Sequence, residues 1–133
     1  MGPDQSERNA VLLLDTSFLI LYEREIAADS VGPARLFLRS RASEPAALSL
    51  ISVGEFAEGY ANPRDVEAFI SRFRVLQLSR AIAYRMASLQ GHIPQRLGEN
   101  DAWIAATAMY YGADIVGRDA AFGRVPRLNY IQV

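Results

Sequence analysis

Asp15 is the first residue in the chain whose type and position could do chemistry. It follows residues 11–14, a run of branched aliphatic side chains that predicts a strand buried on both faces. A carboxylate at the carboxyl end of a central parallel strand lies where open α/β sheets usually build their sites. Capping of the next helix accounts for this aspartate equally well, and Thr16 or Ser17 could also cap. Both explanations of Asp15 therefore stay open.

Asp101 lies at the start of a predicted helix over residues 101–111. Helical periodicity puts it on the same face as the apolar Ile104, Ala105 and Ala108. An acid in the first turn gains only about 0.5 kcal/mol from the helix dipole, whereas burial of an ionised carboxylate costs several kcal/mol. The dipole cannot offset that cost, so the pattern predicts a metal ion or an arginine as the partner of Asp101.

Asp119 follows a predicted strand over residues 114–117 and so also lies at the carboxyl end of a strand. In the commonest order for such folds, the first and fourth strands are neighbours across the sheet, which would bring Asp119 beside Asp15. The alternative is that Asp119 caps a short turn of helix.

Glu55 is the acid whose presence a structural role explains best. Ser52 and Glu55 have the spacing of a capping box at the start of a predicted helix, and Glu55 lies away from the apolar stripe of that helix. Only its position favours a site, since it lies in the first turn after the second predicted strand, at the same sheet edge as the other acids. Glu58, one turn further along, is the alternative acid.

The residue types that are absent narrow the chemistry further. The 133 residues include no cysteine, which excludes disulfides, thiol nucleophiles and zinc–thiolate sites. All 14 cationic residues are arginine, and the lack of lysine excludes P-loop NTPases, Schiff-base enzymes and receiver domains. The single histidine, His92 in a predicted loop, excludes a two-histidine ribonuclease mechanism. An enzyme with this composition works with carboxylates, hydroxyls and arginines.

The charge and the hydropathy pattern bear on partners and location. A formal net charge of −1 supplies no basic field, yet guanidinium groups bind phosphate well, so nucleic acid stays open as a partner. No apolar run could span a bilayer and no export leader is recognisable. We therefore expect a cytoplasmic protein without a membrane partner.

Strands and helices alternate along the chain after a polar start. We expect a flexible N-terminal tail over residues 1–9 and a single domain over residues 10–133. The predicted strands cover 10–14, 46–51, 75–78, 114–117 and 130–133. The predicted helices cover 17–25, 33–41, 64–73, 79–90 and 101–111, and Ser52 opens one more after the second strand. This alternation predicts an α/β fold, a three-layer sandwich in which about five parallel strands are flanked by helices.

Three segments, taken together and in order, resemble the PIN domain, and within it the VapC-like toxins of bacterial type II toxin–antitoxin systems. The segments are LLLDTSFLI, SVGEFAEGY and GENDAWIAATAMYYGADIVGRDAAF, and the resemblance spans about residues 10–133. By position, Asp15, Glu55, Asp101 and Asp119 match the acidic quartet of the family. The resemblance implies that these four side chains bind the metal and are catalytic.

Two further residues are expected to support the quartet, and one position departs from the family pattern. Ser17 matches the small polar residue two positions after the first acid. Asn100 is predicted to cap the helix that begins with Asp101. The family often has threonine or serine two positions before the last acid, where this chain has Gly117. A hydroxyl that could support the surroundings of the metal is therefore missing at that position.

The resemblance implies an endoribonuclease toxin that depends on Mg²⁺, with Mn²⁺ as a second suitable ion. Acids held a few ångströms apart repel one another unless a divalent cation joins them, and Mg²⁺ prefers oxygen ligands. The resemblance further implies an RNA substrate, a homodimer, and a small cognate antitoxin that blocks the site with an arginine among the acids.

Two other functions are alternatives to the nuclease. A PIN-like module that binds RNA or a protein without cleaving is an alternative, because of Gly117 and the lack of a basic field. A phosphohydrolase of the haloacid-dehalogenase type needs a second aspartate two residues after the first and a later lysine. Ser17 and the absence of lysine argue against that enzyme.

Overall fold

Five short strands form one parallel sheet in the computed structural model of the protein, which describes residues 11–133. They are β1 (Leu12–Leu14), β2 (Ala46–Ser49), β3 (Arg74–Leu76), β4 (Asp114–Gly117) and β5 (Tyr130–Gln132). Their order across the sheet is β3-β2-β1-β4-β5, and every neighbouring pair is parallel. The prediction that the first and fourth strands are neighbours is confirmed. The tail predicted for residues 1–9 lies outside the described residues.

Helices cover both faces of this sheet. In the described part of the chain they are α1 (Thr16–Ala27), α2 (Pro33–Ser40), α3 (Leu50–Ala57), α4 (Pro63–Ile70), α5 (Arg80–His92) and α6 (Glu99–Tyr111), with a 3₁₀ helix over Ala120–Arg124. The first four helices pack on one face and the last two on the other. The predicted three-layer sandwich is therefore confirmed. Among residues 11–133 we find no helix with the length and apolar character needed to cross a membrane.

β1 lies at the centre of the core. Leu12, Leu13 and Leu14 are each 0% exposed. Successive side chains of a strand point to opposite faces, so Leu13 packs on the side of α5 and α6, whereas Leu12 and Leu14 pack on the side of α1 to α4. This is the burial on both faces that the aliphatic run predicts. It fixes the end of β1, and with it the position of Asp15.

The start of α3 differs from the prediction. β2 ends at Ser49 rather than at residue 51, and α3 begins at Leu50 rather than at Ser52. The reason is that the Ser49 hydroxyl accepts a hydrogen bond from the Ser52 N–H at 3.1 Å and so caps the helix. Ser52 lies inside the first turn instead, which leaves it and Glu55 without the capping roles that the sequence predicts.

The ends of α5 and α6 also differ from the prediction. α6 begins at Glu99, and its N-cap is Gly98, so the prediction that Asn100 caps this helix is wrong. Asn100 lies in the first turn, where its side chain can reach a neighbouring helix. α5 continues as far as His92, whose Nδ1 lies 2.7 Å from the carbonyl oxygen of Ser88. His92 therefore ends a helix instead of lying in the following loop.

Glu25 is a buried acid that fixes the start of α2. Its side chain is 5% exposed and accepts hydrogen bonds from the backbone N–H groups of Gly32, Ala34 and Arg35 at 3.1, 3.0 and 2.9 Å. These are donors of a first helical turn, which have no partner within the helix. Burial alone would raise the pKa of Glu25, but the three N–H groups and the charge of Arg35 outweigh it and lower the pKa below its usual range.

We predict that the fold loses stability in acid through Glu25. Because its pKa is lowered in the folded protein, this carboxylate contributes stability that is present above the ordinary value of 4.5 and is lost as the pH falls below it. Glu25→Gln should lower the free energy of unfolding at neutral pH by about 1–3 kcal/mol, because an amide cannot accept all three bonds. It should also flatten the acid dependence.

Urea unfolding at neutral pH and at about pH 4 measures both effects. Glu67→Gln is the matched control, because Glu67 is an exposed acid on α4. Equal stability losses in the two variants, or an unchanged acid dependence in Glu25→Gln, would contradict the role of Glu25.

Candidate active site

The carboxyl edge of the sheet gathers the acids that the sequence singles out. Asp15 directly follows β1, Asp119 follows β4, and Glu55 lies on α3, the helix that leaves β2. Since β1 lies between β2 and β4, these three acids come from three neighbouring strand ends. Asp101 joins them from the first turn of α6, where its charge interacts with all three. These four residues are called the acidic cluster below.

Asp15 is almost fully buried, with 4% of its surface exposed. It occupies the N-cap position of α1, but its side chain makes no capping hydrogen bond, so the capping explanation is wrong. Its Oδ2 accepts a hydrogen bond from the Ser17 hydroxyl at 2.7 Å instead. Burial raises the pKa of Asp15, and the Ser17 hydroxyl together with the nearby backbone N–H groups of Thr16 and Ser17 offsets only part of that effect, to which the charge of Glu55 adds. Asp15 is therefore a buried acid whose charge is incompletely balanced by the protein.

Ser17 connects Asp15 to the segment that carries Asp119. Its Oγ donates a hydrogen bond to Asp15 and accepts one from the Arg118 N–H at 3.2 Å. Arg118 directly precedes Asp119 in the chain, so one hydroxyl links the ends of β1 and β4. These contacts support the role that we predict for Ser17.

Glu55 is held by side chains from two other helices. Thr16, at the start of α1, donates a hydrogen bond to Oε1, and the Asn100 Nδ2 from α6 donates one to Oε2 at 2.9 Å. Ser52, the supposed capping partner, has its hydroxyl 3.0 Å from that of Thr16, and Ser49 caps the helix. The capping-box explanation of Glu55 is therefore wrong. Its carboxylate is instead oriented by α1 and α6, the helices that adjoin Asp15 and carry Asp101.

Asp101 is half-buried in the first turn of α6. Burial raises its pKa to about 6, together with the charges of Asp15, Asp119 and Glu55, while Arg124 partly offsets them. The sequence predicts that this acid needs a metal ion or an arginine as its partner. Arg124 does not satisfy that need, because the pKa of Asp101 stays raised in its presence.

Asp119 is exposed, and it uses one of its oxygens for the fold. Its Oδ1 accepts a hydrogen bond from the Ala121 N–H at 2.9 Å and so caps the 3₁₀ helix. The capping explanation is therefore right for this oxygen. The charge of Asp119 nevertheless raises the pKa of Asp101, so Asp119 belongs to the acidic cluster while it also serves the fold.

The acidic cluster suits a hard divalent cation by its chemistry. Mg²⁺ binds oxygen ligands and is usually held through one or two carboxylates and several waters. Within residues 11–133, no three acidic or histidine side chains converge closely enough to hold one ion. Asp15 and Asp101 are the buried and half-buried acids of the cluster, and metal binding by all four acids stays a prediction. Burial, and after it repulsion among the acids, raises the pKa values of both residues, and the charge of a cation would offset this cost.

Two residues border the acidic cluster without having been recognised in the sequence. The sequence suggests only a capping role for Thr16, yet its hydroxyl donates a hydrogen bond to the Glu55 carboxylate. Burial, and after it the charges of three of the four acids, raise the pKa of Tyr130 to about 12. Tyr130 reaches the cluster because β5 pairs with β4. No local sequence pattern predicts a contact of this kind.

A surface cleft of about 510 Å³ lies apart from the acidic cluster. It is lined by residues of α5 and α6 and of the segment before β5, among them Leu89, His92, Met109 and Arg127. None of the four acids lines this cleft. The cleft is therefore separate from the acidic cluster.

Comparisons with known proteins bear on this architecture. Residues 12–128 match the PIN domain family. The chain is 30% identical to a VapC ribonuclease of Mycobacterium bovis and to ribonuclease VapC11 of Mycobacterium tuberculosis. Each comparison extends over 132 residues and covers 92% of this chain and 96% of the relative.

Solved structures with the same fold include VapBC2 and FitAcB. A VapBC2 structure from Rickettsia felis, bound to a DNA fragment from its promoter, has a TM-score of 0.76 at 21% identity over 92% of this chain and 98% of that one. FitAcB from Neisseria gonorrhoeae has a TM-score of 0.71 at 20% identity over 90% of this chain and 96% of that one. Since the family match and the sequence relatives both extend over most of the chain, this protein belongs to the PIN-domain family, and within it to the VapC-like proteins.

Proposed function

We propose that this protein is a metal-dependent endoribonuclease that acts as a toxin and is neutralised by a cognate antitoxin. The observation that carries this proposal is the gathering of Asp15, Glu55, Asp101 and Asp119 around one sheet edge, where Asp101 interacts with the other three acids. The relatives at 30% identity are named as VapC ribonucleases. One neighbour in structure is described as a VapBC toxin–antitoxin system. The chemistry of the cluster and these names favour the same reaction.

The acids have different surroundings, and these suggest different roles. Asp15 and Asp101 have raised pKa values, because the protein alone does not offset the cost of their negative charges. These two acids would hold the cation. Ser17 keeps the Asp15 carboxylate in place through its hydrogen bond. When bound, Mg²⁺ or Mn²⁺ supplies an acidified water for in-line attack on a phosphodiester and neutralises charge on the phosphate.

Glu55 and Asp119 complete the negative field from the two flanks. Glu55 is oriented by Thr16 and Asn100, so we assign Asn100 a supporting role as the residue that aims Glu55. RNA is a polyanion that the acidic cluster would repel without a cation. Exposed arginines close to Asp119 in the chain would contact the phosphates on either side of the scissile bond. These are Arg118 and Arg124.

The same electrostatics explains how an antitoxin would block the site. A guanidinium group placed among the four acids relieves the same repulsion as a divalent cation. We therefore propose that the antitoxin inserts an arginine into the acidic cluster, in competition with the metal. The homodimer that the resemblance implies is also part of this proposal, and light scattering of the purified chain tests it.

Gly117 is the observation that favours a second function, a PIN-like module that binds RNA or a protein partner without cleaving. The residue leaves β4 without a hydroxyl next to Asp15. Titration of the chain with Mn²⁺ in a calorimeter separates the two functions. A nuclease site should bind the ion, whereas a degenerate site should not.

We predict that RNA cleavage requires both a divalent cation and the buried acids. Asp15→Asn or Asp101→Asn should lower the rate by at least about 100-fold, because each removes a preorganised charge at the reacting centre. EDTA should abolish cleavage and added Mg²⁺ or Mn²⁺ should restore it. A labelled single-stranded RNA substrate measures the rate.

Asp114→Asn is the matched control for this experiment. Asp114 lies at the amino end of β4, away from the carboxyl edge that carries the acidic cluster, so its replacement should leave the cleavage rate unchanged. Cleavage that persists in EDTA or in either cluster variant would overturn the proposed mechanism.

We also predict that Asp101 destabilises the metal-free protein at neutral pH. Its pKa is raised from 3.8 to about 6 in the fold, so the folded state holds a proton that the unfolded state releases, and stability falls as the pH rises through this window. Above about pH 6 the penalty is complete. In EDTA at pH 8, Asp101→Asn should therefore be more stable than the parent by on the order of 1 kcal/mol, with allowance for solvent screening of a half-exposed group.

Urea unfolding at pH 8 and at about pH 4 tests this expectation, with Asp114→Asn again as the control. The gain should vanish at the lower pH and should shrink when Mg²⁺ replaces EDTA. A destabilised Asp101→Asn in EDTA would show that this acid serves the fold rather than the site.

A further inference from the structure

Gly117 and Tyr130 share one small space beside Asp15. A Cβ atom on Gly117 would lie 3.0 Å from the Asp15 Cβ, 3.2 Å from the Asp15 Oδ2 and 3.2 Å from the Tyr130 Oη. The carboxylate oxygen and the tyrosine hydroxyl thus lie within 3.2 Å of the same point. The position that a side chain on β4 would occupy is therefore bordered by a hydroxyl that comes from β5.

The backbone and a neighbouring ring hold Tyr130 in this place. Tyr130 pairs with Ile115 across β4 and β5, and its ring lies 5.4 Å from that of Phe122, centroid to centroid. Phe122 is fully buried in the 3₁₀ helix that Asp119 caps. The ring is thus packed against the segment that carries the last acid, which directs the hydroxyl towards the end of β1.

The Tyr130 hydroxyl has no hydrogen-bond partner among the described residues. Its Oη is buried, and within residues 11–133 it makes no hydrogen bond. A tyrosine hydroxyl normally finds a partner when it is buried, and a buried polar atom without one is a signal of function or of an unseen ligand shell. Phenylalanine would pack equally well at this position without that penalty. The hydroxyl therefore calls for an explanation other than packing.

We propose that Tyr130 is a positioning residue of the acidic cluster, whose hydroxyl donates a hydrogen bond to the Asp15 carboxylate when a divalent cation is bound. This inference rests on the proposed function, since it concerns the same metal site. Asp15 would then be held by Ser17 and Tyr130 together, and the hydroxyl that β4 lacks at Gly117 would be supplied by β5.

The test begins with Tyr130→Phe, which removes one oxygen atom and keeps the ring. Calorimetric titration should show Mn²⁺ binding about 10-fold weaker than in the parent, the size typical of losing a group that orients a metal ligand. The urea midpoint in EDTA should be unchanged or higher, because the lost hydroxyl makes no hydrogen bond within residues 11–133. Tyr84→Phe is the matched control, because Tyr84 is 69% exposed, and it should bind Mn²⁺ like the parent.

Rescue from the neighbouring strand distinguishes positioning from packing. In the double variant Gly117→Ser with Tyr130→Phe, a hydroxyl returns to the same space from β4. The contact with the Tyr130 Oη no longer exists, while the contacts of the new Cβ with Asp15, at 3.0 and 3.2 Å, remain. Gly117→Ala with Tyr130→Phe adds the same Cβ and the same contacts without the hydroxyl, so Mn²⁺ should bind more tightly to the serine double variant than to the alanine one.

Each outcome is decisive. Parent-like Mn²⁺ affinity in Tyr130→Phe would overturn the inference while leaving the proposed function intact. Equal affinities in the serine and alanine double variants would overturn it as well, since the effect would then come from packing. If the parent chain binds no Mn²⁺, the proposed function itself is contradicted, and the inference falls with it.

Discussion

Repulsion among carboxylates at one sheet edge is the constraint on which the rest of this structure depends. The order of the sheet places β1 between β2 and β4, so acids at these strand ends must meet whether or not their charges favour it. The aliphatic residues of β1 pack on both faces of the sheet, and Asp15, which directly follows them, is only 4% exposed. The core therefore supplies the stability, and the edge stores electrostatic strain that a cation can relieve.

Two buried acids show why burial alone does not identify a site. Asp15 and Glu25 are 4% and 5% exposed, yet the pKa of Asp15 is raised and that of Glu25 is lowered. The difference lies in how far their partners offset burial. Glu25 accepts hydrogen bonds from three backbone N–H groups and is near the charge of Arg35. The Ser17 hydroxyl and the nearby backbone of Thr16 and Ser17 do not outweigh the burial of Asp15, to which the charge of Glu55 adds. An acid whose partners outweigh its burial serves the fold. A buried acid whose pKa stays raised and which lies beside other acids is a candidate ligand for a cation.

The same distinction explains what could be predicted from the sequence. The location of Asp15 and Asp119 at neighbouring strand ends follows from the pairing of β1 with β4, which the commonest strand order for such folds predicts. Glu55 could not be recovered from its surroundings, because its spacing from Ser52 matches a capping box. Its actual partners, Thr16 and Asn100, lie 39 and 45 positions away in the chain. Local patterns therefore predict the elements and their order, but not which side chains meet across them.

Gly117 is a position whose effect cannot be judged from the sequence alone. As an isolated difference from the family pattern, the missing hydroxyl suggests a weakened metal site. In the fold, however, a Cβ at this position would press against both Asp15 and the Tyr130 hydroxyl, so the glycine is what lets the ring approach the acid.

A hydroxyl that arrives from β5 depends on the pairing of a short strand at the edge of the sheet, which is a place where local opening costs little. If Tyr130 positions Asp15 as we propose, the geometry of the metal site is coupled to the docking of that C-terminal strand. The same hydroxyl placed on β4 would have no such dependence.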